Sequence, residues 1–127
     1  HTFFEAINFN QDISSWDVRN VWNMYGTFRS TAFNQDISSW EVDSISNTGY
    51  MFESSPFNQD ISAWDVGKVT YMYAMFRDAS NFNQDLSSWD ARSVQQVSHM
   101  ALMFTGSAQL PESSRIFDQA CDCFVTC

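Results

Sequence analysis

The sequence predicts an α/β repeat solenoid, each coil supplying one short parallel strand and one short helical or 3-10 arm. Three observations point there. The phrase FNQD-I/L-S-S/A-W-D/E occurs four times, at Phe9, Phe33, Phe57 and Phe82, with steps of 24, 24 and 25 residues. Trp16, Trp40, Trp64 and Trp89 keep the same steps. Each phrase is followed by an apolar run of period near three. Self-similarity at about 20 to 50 residues marks stacked units that each bury an apolar side against their neighbours.

The first half of a unit, Phe9 to Val18, sets β-forming residues between Asn, Asp and Ser, so a short extended arm is expected there. The second half reads Val21-x-x-Met24-x-x-Thr27-Phe28. It recurs from Ile45 to Phe52, from Val69 to Phe76 and from Val97 to Phe104. Apolar residues at i, i+3 and i+6/i+7 predict a helical or 3-10 turn. It is too short to stand without packing. The fourth unit has eight residues from Trp89 to Val97 where the others have five, so three extra residues within Ala91 to Gln96 should bulge at a corner. The segment before the first phrase matches Met75–Phe82, with Phe4 in the slot of Phe28, and reads as a piece of a longer protein. The pattern predicts a solenoid over 1–104 and a Cys-containing C-terminal cap over 105–127. Thr105-Gly106 reads as the break, and 112–120 as weakly helical.

These residues resemble the BspA-like leucine-rich repeats of the DUF285 type. The pattern FNQDISSWDV…V-x-x-M-x-x-MF carries the resemblance over about 1–104. It implies a right-handed leucine-rich-repeat-like coil in which the Phe, Ile, Trp, Val and Met positions are scaffold. It also implies cell-surface display, adhesion and protein–protein contact, with no catalytic residue to carry over. Thr27 and Thr48 depart from the Met positions, and the tail lies outside the pattern.

Repetition turns residues into columns. Phe9/Phe33/Phe57/Phe82 and Phe4/Phe28/Phe52/Phe76/Phe104 are expected core, with stacked rings adding to burial. The Trp16/Trp40/Trp64/Trp89 column is expected either to close the coils or, if exposed, to stack on a carbohydrate. Trp22, aligned with Ser46, Thr70 and Ser98, is expected to point outward. Asn10/Asn34/Asn58/Asn83 and their neighbouring glutamines are expected to bond at a corner. Two acidic columns, Asp12/Asp36/Asp60/Asp85 and Asp17/Glu41/Asp65/Asp90, hold eight of the fifteen acids. Each carboxylate either accepts turn N–H groups, the preferred reading, or shares Ca²⁺ with its neighbours.

Cys121, Cys123 and Cys127 are expected to form a disulfide in an exported protein, with the pairing open and either one thiol left over or a partner outside this segment. Three thiols with His99 are a weaker metal set. The formal charge of −9, with six unclustered Lys and Arg, disfavours nucleic acid and anionic lipid. No stretch is apolar enough to insert in a membrane. With two histidines and only copied carboxylates, neither catalysis nor a cofactor is expected. The function expected is an extracellular or cell-surface module for protein contact, adhesion or self-association. A glycan-binding coil and a structural fibre or spacer are the alternatives.

Overall fold

The computed structural model describes residues 2–108. Its units stack as the repeat requires, but they are not built from strands and helices. Among the described residues there is one 3-10 turn, Val97–His99, and two isolated parallel bridges, Asn23 with Asn47 and Asn47 with Tyr71. The expected α/β solenoid with parallel strands and helical arms is therefore overturned. The arms are chains of consecutive tight turns.

The backbone explains why. Among the described residues nine have φ between +51° and +75°, and they fall in two columns. One is Gly26, Tyr50, Ala74 and Leu102; the other is Glu5, Ser30, Ser54, Asp78 and Gly106. Each is the third residue of a four-residue turn. Thr27, Met51, Met75 and Met103 donate N–H to the carbonyls of Met24, Thr48, Met72 and Met100 around the first column. Ala6, Ser55, Ala79 and Ser107 close the matching turns around the second. A left-handed residue every fourth position stops a helix, and a period-three apolar pattern is just as natural to successive turns.

The N–H groups between these turns reach the next coil. Met24, Gly26, Phe28 and Ser30 donate to the carbonyls of Asn47, Gly49, Met51 and Glu53 at 2.8–2.9 Å. Thr48, Tyr50, Phe52 and Ser54 do the same to Tyr71, Tyr73, Met75 and Arg77. These shared bonds hold backbone that costs about 1–2 kcal/mol per non-glycine left-handed residue. Leu102 is 41% exposed, so its side chain gains little from burial. Leu102→Gly is expected to raise stability by about 0.5 kcal/mol, strain relief outweighing the entropy glycine adds to the unfolded chain. A lower urea midpoint would contradict this.

The core is a double aromatic ladder. Within each coil two rings stack: Phe3 on Phe9, Phe28 on Phe33, Phe52 on Phe57 and Phe76 on Phe82, with centroids at 3.9–4.0 Å. Along the stack Phe28, Phe52, Phe76 and Phe104 follow at 5.6 Å. Ile13, Ile37, Ile61 and Leu86 fill the interior beside them.

Two slots differ from the sequence reading. Phe3, not Phe4, occupies the ladder, since it stacks on both Phe9 and Phe28 while Phe4 lies partly exposed under Arg29. In the fourth coil Val94 takes the anchor position. Its N–H bonds Ala91 as Val21 bonds Val18, and the extra residues follow it and form the 3-10 turn. The turn pattern also runs past Phe104. Asp78 donates to Thr105, and Gly106 takes a left-handed slot. The cap expected over 105–127 lies, from 109 on, outside the described residues.

Candidate functional site

The repeated polar residues are engaged in holding the stack. Asn10, Asn34 and Asn58 each accept, through Oδ1, the N–H of the asparagine one coil on, at 2.9–3.1 Å. Gln35, Gln59 and Gln84 donate Nε2 to the same asparagines. Trp40, Trp64 and Trp89 are buried, and each donates Nε1–H to the carbonyl of Ile13, Ile37 or Ile61 in the preceding coil. A sugar therefore finds no ring face on these three tryptophans. Of the four only Trp16, half exposed, offers one, so Trp40, Trp64 and Trp89 take the coil-closing alternative and no stacking column forms.

The acidic columns sit at turns. Asp12, Asp36, Asp60 and Asp85 accept the N–H of Ser14, Ser38, Ser62 and Ser87 at 2.9 Å. Asp17, Asp65 and Asp90 accept the N–H of Arg19, Gly67 and Arg92 at 3.0–3.1 Å. Among the described residues no three His, Cys, Asp or Glu side chains gather as a metal site. The eight Ca²⁺ candidates are thus spread along two rows, and seven of them cap backbone. Cys121, Cys123 and Cys127 lie outside the described residues.

Hydrogen bonding keeps five of these carboxylates, Asp12, Asp17, Asp36, Asp60 and Asp90, charged. The Ser14 and Ser38 N–H groups lower Asp12 and Asp36, and Ser62 lowers Asp60. The Arg19 guanidinium and N–H hold Asp17 at about 2, and Arg92 does the same for Asp90. Folded values below the unfolded 3.8 favour the folded state at neutral pH. That contribution is complete above about pH 4 and is lost as pH falls through about 2. Melting temperature is expected to be flat from about pH 7 to 5 and to fall between about pH 4 and 2. A melting temperature that holds to about pH 2 would contradict the capping role.

A different group of residues is not used by the repeat. All four tyrosines of the chain, with His99, lie together on one side of the stack. Tyr25 meets Tyr50 at 5.2 Å, Tyr50 meets Tyr73 at 5.3 Å, Tyr73 meets Tyr71 at 6.1 Å, and Tyr71 meets His99 at 5.1 Å. All five are half-buried. Burial, reinforced by the neighbouring phenols, pushes the Tyr50 and Tyr71 hydroxyls above their ordinary value, so both stay protonated at neutral pH.

Arg29 and Arg77 flank the cluster, 4.9 and 5.5 Å from the Tyr50 ring, and both turn to the buried Glu53 between them. Gly49 makes the cluster possible. A Cβ there would lie 2.5 Å from Tyr71 Cε1 and 3.2 Å from Tyr25 Cδ2. The sequence reading missed this surface because its residues come from three different repeat positions. The available signal was Gly49, standing in the slot that holds Tyr25 and Tyr73 in adjacent units.

The family described as "Mycoplasma protein of unknown function, DUF285" matches residues 1–56 and 53–120. The chain belongs to the DUF285 family. No curated protein and no solved structure matches it. In this DUF285 chain the repeat supplies the scaffold, while the tyrosine face is particular to the aperiodic residues that decorate it.

Proposed function

We propose that this DUF285 chain is a non-catalytic module displayed outside the cell or on its surface, where it contacts protein partners or further copies of itself. In that sense it acts as a BspA-like surface repeat, without the strands of a leucine-rich-repeat coil. The carrying observation is the division of labour among residues. Repeated Phe, Trp, Asn, Gln and Asp are taken up by core, coil-to-coil bonds and caps. The four tyrosines and His99 collect instead on one half-exposed face.

Tyr, Trp and Arg are the residues on which contact surfaces concentrate their binding energy. A catalytic site needs one unique set of nucleophile, base and orienting group. The tyrosine face is unique, but it is built from phenols, two guanidiniums already paired with Glu53, and a single imidazole. The charge of −9 favours contact with neutral or basic partners over nucleic acid. Antibodies raised against residues 1–127 are expected to label intact source cells and to reduce their attachment. Labelling only after permeabilisation would contradict surface display.

A further inference from the structure

We propose that the tyrosine face binds an extended, proline-rich segment of a partner protein, flanked by basic residues. This rests on the reading of the chain as a contact module and names the partner's chemistry. Tyr25, Tyr50, Tyr73 and Tyr71 run from the first complete coil to the third, and His99 continues them into the fourth.

The ring orientations decide the kind of ligand. Successive planes are inclined by 65°, 55° and 59°, with only Tyr71 and Tyr73 near parallel at 25°. Such a row is a set of ridges and gaps, not the flat face a pyranose ring stacks on. Pyrrolidine rings of a polyproline II segment fit between aromatic ridges, and that helix arrives already ordered.

Its carbonyls make no internal hydrogen bonds and need donors. The face supplies them. Tyr50 and Tyr71 keep their phenol protons. The Oδ1 atoms of Asn23 and Asn47 are occupied by the N–H groups of Tyr25 and Gly49, which leaves the side-chain NH₂ groups as donors. Its two guanidiniums are turned to the buried Glu53, and Arg77 also faces the exposed Asp78 at 4.0 Å. The net charge of −9, summed over the whole chain, then favours a segment with basic ends.

The test follows the tyrosine and His99 ring resonances by NMR during titration with three probes. These are an arginine-flanked decaproline, a proline-free peptide of equal length and charge, and cellohexaose. Saturable shifts of Tyr25, Tyr50, Tyr71, Tyr73 and His99 are expected with the decaproline alone. Affinity should drop at least about tenfold in Tyr73→Ser and in Gly49→Ala, which drives Tyr71 and Tyr25 apart. Tyr73→Ser carries the test should Gly49→Ala melt early.

Equal binding of the proline-free peptide would reduce the effect to charge and overturn the proposal. Binding of cellohexaose alone would make the face a glycan site and overturn it equally. Shifts elsewhere, or none with any probe, would also overturn it. None of these results bears on display at the cell surface, which is tested separately by labelling intact cells.

Discussion

Phe57→Ala is expected to lower stability by about 3–5 kcal/mol, enough to unfold much of the population of a marginally stable chain. Phe57 is fully buried and belongs to both ladders at once. Its ring lies 3.9 Å from Phe52 within its own coil, and 6.1 and 6.3 Å from Phe33 and Phe82 in the coils on either side. The parallel stack above and below leaves little freedom to collapse into the hole, so the cavity cost adds to the lost burial. Phe57→Leu, which keeps most of the volume, is expected to cost less than half as much. Urea midpoints measure both. Near-equal small losses would mean that the rings do not bear the stack.

Glu53→Ala is expected to cost about 2 kcal/mol. The Glu53 side chain is only 4% exposed and stands between Arg29 above and Arg77 below, so one carboxylate holds three consecutive coils. Removing one member of a fully buried pair costs about 3–5 kcal/mol. Here the arginines are 31% and 28% exposed, and water screens part of the loss. The Tyr50 ring beside both guanidiniums retains some of their stabilisation. Glu53→Gln keeps the shape and loses the charge, so it should fall between alanine and wild type. A Glu53→Ala protein as stable as wild type would show that the charge triad is a surface ornament.

The stacking and the identity of the buried columns were legible because each slot is sampled four times. Phe33, Ile37, Trp40 and Val42 recur as Phe57, Ile61, Trp64 and Val66, and all are buried. Local ambiguity defeated the reading where two apolar residues compete for one slot. Phe3 and Phe4 are adjacent, and Val94 and Val97 are three apart. Only the coil on the other side of the contact chooses between them.

The helical expectation failed for a related reason. Tyr50, Ala74 and Leu102 carry no sign of a left-handed backbone, since glycine marks the first such column only at Gly26. The strain is imposed by bonds to neighbouring coils that a local pattern does not contain. The tyrosine face was illegible in a period-based reading because it is what the period leaves out. Tyr25, Tyr50 and Tyr71 occupy three different slots and become neighbours only when the coils stack.

The most direct test of the turn-built coil is the backbone φ of Tyr50, Ser54, Ala74 and Asp78 in solution, from amide–Hα couplings and intraresidue NOEs. Positive values at all four, near the +51° to +56° of the structure, are the result this account predicts. Negative values throughout, as in helical arms or parallel strands, would contradict it.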